Sequence, residues 1–227
     1  SRQETYQTEI NNLKITSYKF NNGKSDSSII KKLEEANYIL VSIPPIDGKD
    51  IVANYIDTNL KKITNCKWIT YLSATSVYGD HKGEWVNEKS ATKPTSPNGL
   101  SRLEAENIWK SLSLKNNYPL QIFRLAGIYS NEFNILKRLQ TGRAQLVDKK
   151  NHFFSRIHVE DIANVLFSSL DNFKNNEIYN ICDDKPASQI EVAAYGAKLL
   201  KLEQPHPVKL DEVESEMLRN FYKDSKK

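Results

Sequence analysis

Trp68-Ile69-Thr70-Tyr71-Leu72-Ser73-Ala74-Thr75-Ser76-Val77-Tyr78-Gly79 decides the fold. Its first half, W-I-T-Y-L-S over 68–73, is a short apolar run of strand length, and its second half turns small and polar before a glycine. Upstream, Tyr38 to Ile43 (Y-I-L-V-S-I) is a second such run, stopped by Pro44-Pro45, which cannot continue a central strand. Between the two, Asp50 to Lys62 carries helical spacing through Ile51, Val52, Tyr55, Ile56 and Leu60. Downstream, a polar loop over Gly79–Pro97 precedes a helix over Leu100–Leu114, with Leu103, Ala105, Ile108, Trp109 and Leu112 apolar. Leu120 to Leu125 (L-Q-I-F-R-L) is the next strand. Apolar strands alternating with amphipathic helices predict βαβ units and a mostly parallel sheet with helices on both faces.

The same reading extends to both ends. Leu13–Phe20 alternates like a half-buried strand, and a helix follows Ser25–Ser28 with Ile29, Ile30, Leu33 and Ala36 on one face. Toward the other end come a short helix at Asn134–Gln140, a short strand at Phe154–Val159 and a helix from Val159 to Leu170. A last strand at Glu177–Cys182 and a helix at Ser188–Leu200, capped by Ser188, follow. The expected parallel strands are Leu13–Phe20, Tyr38–Ile43, Trp68–Ser73, Leu120–Leu125 and Glu177–Cys182. The basic tail after Leu218 reads as a frayed end.

In an open parallel sheet, ligands sit beyond the carboxyl ends of the strands. Four strand ends here are distinctive: Ser42-Ile43-Pro44-Pro45, Ser73 to Gly79, Leu125-Ala126-Gly127-Ile128-Tyr129, and Arg156-Ile157-His158-Val159-Glu160-Asp161. Between the second and third lies S-P-N-G-L-S-R-L-E-A-E over 96–106. In this order these segments resemble the extended short-chain dehydrogenases/reductases of the NAD-dependent epimerase/dehydratase type. S-A-T-S-V-Y-G-D is similar to that family's segment leading to V-Y-G, and S-P-N-G-L-S-R-L-E-A-E to its S-P-Y-G-x-S-K-x-x-x-E helix start. F-R-L-A-G-I-Y is similar to the segment closing around the nicotinamide, and R-I-H-V-E-D-I-A to its late V-x-D-[IV]-A motif. The resemblance runs from about Tyr38 to Leu200.

The resemblance implies a Rossmann-type doubly wound parallel sheet, bound NAD or NADP, and a small carbonyl or sugar-like substrate. It implies a dinucleotide-binding core over 1–181 with a substrate-side insertion at 126–153, and a substrate-side segment at 182–227 that is incomplete. The cofactor side would comprise Ser42, Ile43 and Pro44 at one strand end, Arg102 at the ribose, and Leu125, Gly127 and Ile128 at the nicotinamide. The family's first strand and its G-x-x-G-x-x-G loop, which holds the pyrophosphate at a helix N-terminus, have no counterpart. Position 1 falls just after the fold's second strand, so the chain reads as an internal piece lacking the Gly-rich unit. Arg2 then sits where the family selects between ribose 2′-hydroxyl and 2′-phosphate, and an Arg there favours NADP; an ordinary exposed Arg is the alternative.

Departures from the family fall on its catalytic positions. Asn98 stands where the family has its acid/base Tyr, and it has no titratable proton. Arg102 stands where the family has the Lys that lowers the Tyr pKa; it keeps the charge but does not deprotonate. Ala74 stands at the family's Ser/Thr. The remaining hydroxyls on that strand end are Ser73, Thr75 and Tyr78, and these are the catalytic candidates: Tyr78 as relocated acid/base, assisted by Ser73 or Thr75. For Tyr78 the alternative is packing of the loop. His158 is read as an anchor of its strand, Asp161 as a helix N-terminal charge, Arg124 as the partner of an acid, and Trp85 and Glu88 as either substrate wall or loop packing. This pattern resembles an atypical subgroup of the family that lacks the active-site Tyr; the two readings for this chain are an NAD(P)-dependent oxidoreductase or epimerase with a relocated acid/base, and a non-catalytic dinucleotide-binding sensor or assembly protein.

Composition narrows the partners. The chain of 227 residues has a net charge of +4 spread without a basic block, which argues against nucleic acid. No apolar run approaches the roughly 20 residues of a membrane helix. Cys66 and Cys182 have no partnering pattern, and the four histidines show no metal-ligand spacing. The expectation is a soluble cytoplasmic protein without metal, with an oligomer possible.

Overall fold

The computed structural model describes residues 6–21, 24–25, 28–60 and 63–227. Arg2 lies outside the described residues. The strands are β1 (Tyr6–Ile10), β2 (Leu13–Ser17), β3 (Phe20–Asn21), β4 (Lys24–Ser25), β5 (Tyr38–Val41), β6 (Trp68–Ala74), β7 (Leu120–Leu125), β8 (Gly127–Tyr129), β9 (Val147–Asp148), β10 (Arg156–His158), β11 (Ile178–Ile181) and β12 (Val208–Lys209). The helices are α1 (Ser28–Glu34), α2 (Ile51–Asn59), α3 (Pro97–Asn116), α4 (Ile135–Gln140), α5 (Val159–Asp171), α6 (Gln189–Leu200) and α7 (Glu216–Lys223).

A four-stranded parallel sheet in the order β11-β7-β6-β5 forms the Rossmann-type framework. Four of the five expected parallel strands are in it. Tyr38 pairs with Trp68 and Val41 with Tyr71 in parallel register. Strand β7 is buried on both faces along its length, and β6 nearly so, as central parallel strands must be. Strand β5 departs from that expectation: at the edge of this sheet it buries Ile39 and Val41 and exposes Tyr38 and Leu40.

The expected parallel strand at Leu13–Phe20 is corrected. Leu13–Ser17 pairs antiparallel with Tyr6–Ile10 in a separate hairpin. The cause is local: Asn11 and Asn12 both take positive φ (50° and 63°), the backbone that a two-residue type I′ hairpin turn requires. Its alternation is that of an exposed hairpin, since Ile10, Leu13 and Ile15 are exposed. The hairpin does not involve β5 or β6, so the parallel framework stands.

By internal contacts the chain divides into two compact units. The first comprises 1–72, 104–122 and 174–177; the second comprises 73–103, 123–173 and 178–227. In the first, Asp50 caps α2 by accepting from Val52 N (3.0 Å) and Ala53 N (2.8 Å). Its other carboxylate oxygen accepts from the indole of Trp109 (2.9 Å), whose ring stacks on Tyr71. This carboxylate is buried, and the bonds at both its oxygens offset its desolvation. Buried Gln121 donates to Thr70 (2.7 Å), satisfying the polar pair inside the sheet.

In the second unit, β8 pairs parallel with β10, and β9 with β12. His158 caps α5, with Glu160 and Asp161 in the helix's first turn; Ser188 and Glu191 form a capping box on α6. The tail expected to fray is instead fixed. Tyr222, Asp224 and Ser225 are buried, and Ser225 O accepts from His81 N and Gly83 N, both at 3.0 Å. Ser225 N donates to Asp80 (2.9 Å), and Lys227 N to Glu84 O (3.0 Å). Backbone pairing with a polar loop is invisible to hydrophobic periodicity.

Candidate functional site

The second unit contains an open cavity of about 1370 Å³. The turn after β6 contributes Thr75 and Ser76, the start of α3 Asn98, strand β8 Gly127, Ile128 and Tyr129, and the end of β11 Asn180 and Cys182. The loop residues Trp85 and Glu88, with Phe133, Arg156, His158 and Asp183, complete much of the wall. The segment from Glu216 onward adds Phe221, Asp224, Lys226 and Lys227. The cavity thus lies where strand carboxyl ends converge, as the open parallel sheet demands.

The turn itself is built by Gly79. Its φ of 70° is a left-handed backbone, and a Cβ added there would stand 1.9 Å from Lys93 O. Only glycine permits the pairing of Gly79 with Lys93 that closes the loop after Tyr78. Gly99 is equally constrained: a Cβ would meet Ser76 O at 2.7 Å, so its absence lets the start of α3 lie against the turn that carries Thr75.

Of the three hydroxyl candidates, Thr75 reaches the cavity wall. Ser73 is buried within β6. Tyr78 is fully buried and off the wall; its hydroxyl donates to Asn180 Oδ1 (2.7 Å) and accepts from Arg124 Nη1 (3.0 Å). The Arg124 guanidinium also lies over the Tyr78 ring at 4.8 Å. Burial pushes the Tyr78 phenol up, and the Arg124 bond and charge pull against it. Arg124, read from sequence as the partner of an acid, has this Tyr as a partner. Asn180 in turn donates its backbone N–H to Glu88 (2.7 Å), so Glu88 ties the loop to β11 as well as facing the cavity.

The cofactor-side candidates separate. Gly127 and Ile128 are exposed on the cavity wall, while Leu125 is buried at the end of β7. Arg102 is half-buried in the first turns of α3, off the wall. Ser42, Ile43 and Pro44 are exposed and follow β5 in the first unit.

Sequence reasoning did not single out Asn180, Asp183 or Phe221, which carry no motif. The hydroxyl of Tyr129 lies 3.4 Å from Asp183, and its ring meets His158 edge-on at 5.0 Å. Burial and then the Asp183 charge push the Tyr129 phenol up, while burial raises the Asp183 carboxyl. Among the described residues no cluster of His, Cys, Asp or Glu is placed to hold a metal, and no helix is long and apolar enough to cross a membrane.

A family model described as the NAD dependent epimerase/dehydratase family matches residues 52–182. Among solved structures, a functionally unknown conserved protein from Silicibacter pomeroyi DSS is similar at 38% identity, over 85% of this chain and 68% of that one, with a TM-score of 0.78. UDP-glucuronic acid 4-epimerase from Bacillus cereus, in complex with NAD, is 17% identical over 80% of this chain and 66% of its own, with a TM-score of 0.68. dTDP-glucose 4,6-dehydratase from Bacillus anthracis str. Ames, also in complex with NAD, is 17% identical over 80% of this chain and 63% of its own, with a TM-score of 0.65. At 17% identity the likeness is one of fold. The chain spans about two thirds of the length of these proteins. No curated protein matches it.

Proposed function

Because the chain belongs to the NAD dependent epimerase/dehydratase family, we propose that it is an NAD(P)-dependent oxidoreductase or epimerase-like protein. Its substrate is a small carbonyl or sugar-like compound held in the cavity of the second unit. The observation that carries this reading is the convergence of Thr75, Asn98, Gly127 and Ile128 on one open cavity at strand carboxyl ends. A volume of about 1370 Å³ exceeds what a small carbonyl alone needs.

The residues fit a nicotinamide. Ser76 Oγ is buried on the wall with no hydrogen-bond partner among the described residues, and Gly127 and Ile128 are exposed on the wall of the same cavity. Gly127, Ile128 and Leu125 would hold the nicotinamide end, Ser42 to Pro44 another part of the dinucleotide, and Arg102 a ribose; Arg2 would bias the choice toward NADP. The bound dinucleotide supplies hydride exchange with a carbonyl. Thr75 orients the substrate oxygen by hydrogen bonding. Ser73 supports that strand end. The enclosed Tyr78 would act as proton donor only after its hydroxyl leaves Asn180 and reaches the cavity. Segments 126–153 and 182–227 supply the substrate side.

One observation favours a second reading, a dinucleotide-binding sensor or assembly protein without turnover. The residue on the wall at the family's acid/base position is Asn98, while Tyr78 is enclosed. Mixing the protein with NADH or NADPH and a panel of carbonyl compounds, and following the reduced-cofactor absorbance, separates the two. Cofactor oxidation that disappears in Thr75→Ala supports the enzyme. Asn98→Tyr combined with Arg102→Lys should raise the rate, because position 98 faces the cavity. Dinucleotide binding with no oxidation in either protein selects the sensor.

A further inference from the structure

Phe221 lies flat on Phe154, with ring centroids 4.3 Å apart and planes 8° from parallel. Phe154 also meets His152 at 4.4 Å and Tyr222 at 5.6 Å, both edge-on, so Phe221 caps an aromatic cluster. One face of Phe221 is covered by Phe154, yet half of the residue (50%) remains exposed, and it lines the cavity. Trp85 (66% exposed) and Phe133 (60%) line the same cavity. Tyr222 meets Phe221 at 5.7 Å with the ring planes 85° apart, and a half-exposed ring that ends a packed stack on a cavity wall is a platform for one more ring.

The cations on the wall are already engaged. Arg156 donates to Phe154 O (3.0 Å), Ala187 O (3.1 Å) and Gln189 Oε1 (3.0 Å). Lys226 donates to Gly79 O (3.2 Å). The Arg138 guanidinium sits over the Phe133 ring at 4.9 Å, and the Lys227 ammonium over Phe153 at 4.4 Å. A diphosphate would have to share these cations with their present partners, whereas an uncharged ring asks nothing of them.

We infer that the cavity takes an uncharged carbonyl compound bearing a flat conjugated ring, which stacks on the open face of Phe221. This rests on the reading of the cavity as the substrate site and names the substrate class. Calorimetric titration of the protein with cinnamaldehyde, cyclohexanecarbaldehyde and UDP-glucose tests it. Stacking predicts that cinnamaldehyde binds about three- to tenfold tighter than the puckered aldehyde. That preference should vanish in Phe221→Leu, which keeps an apolar side chain, and shrink in Trp85→Leu. Circular dichroism of both variants should match that of the parent, since both positions are exposed. Equal binding of the two aldehydes or an undiminished preference in Phe221→Leu overturns the stacking, and tighter binding of UDP-glucose, whose flat uracil is attached to a charged diphosphate, overturns the uncharged class; each leaves the cavity as the substrate site. Failure of all three probes to bind defeats that reading together with this one.

Discussion

Tyr78 and Asp50 show how a single polar group is settled by its partners. Tyr78→Phe removes the hydroxyl that Asn180 and Arg124 share, and leaves buried polar atoms to find new partners. The expected cost is about 1–3 kcal/mol of stability, read as a lower denaturant midpoint. Any turnover loss in that variant must therefore be separated from unfolding by measuring dinucleotide affinity, which a relocated proton donor predicts to be unchanged. Asp50→Ala deletes a helix cap and strands the Trp109 indole together. The cap and the orphaned donor sum to about 2–4 kcal/mol; a loss below about 1 kcal/mol in chemical denaturation would contradict the double role.

The turn that follows β6 works as an element because Gly79 alone accepts its backbone. Gly79→Ala places a methyl group where Lys93 O already sits. A cost of at least about 2 kcal/mol follows from the strained φ and the backbone clash together, and loss of soluble protein or a lower melting temperature is the readout. Helix α6 offers a milder contrast. Ser188→Ala breaks one half of its capping box with Glu191 and should cost about 1 kcal/mol, with little change at the cavity. The two substitutions, compared by thermal melting, rank backbone conformation above a surface cap.

The whole molecule carries a pH dependence through His152. It is 3% exposed, it pairs through Nε2 with Asp224 O (2.8 Å), and its pKa is lowered to about 4. Burial is the main cause, followed by the Lys149 charge; Lys226 adds to the lowering, while the Asp224 bond and Asp80 oppose it. The folded state thus holds the neutral imidazole, whereas the unfolded chain protonates near its ordinary value of about 6.5. Stability from this residue is complete above about pH 6.5 and declines as pH falls toward 4, by up to about 3 kcal/mol. Denaturation measured across that window should show the decline, and His152→Gln should flatten it. An unchanged slope in the variant would locate the acid sensitivity elsewhere.

The strand runs at Trp68 and Leu120 were legible because burial on two faces writes continuous apolar runs, those at Tyr38 and Glu177 because a mostly apolar stretch of strand length persists where a face is exposed or half-buried, and the helices between them because burial on one face writes a helical period. The family was legible in the order of four short segments, since each answers to a fixed backbone demand at a strand end. Leu13–Ser17 escaped because its alternation suits an exposed hairpin as well as a core strand, and the Asn11-Asn12 turn chooses between them. The enclosure of Tyr78, the seating of Asp224 to Lys227 against the loop after it, and the stacking of Phe221 on Phe154 join residues up to 147 positions apart. No local pattern encodes such pairings: side-chain direction and partner choice come from the packing of distant segments, which only the tertiary structure decides.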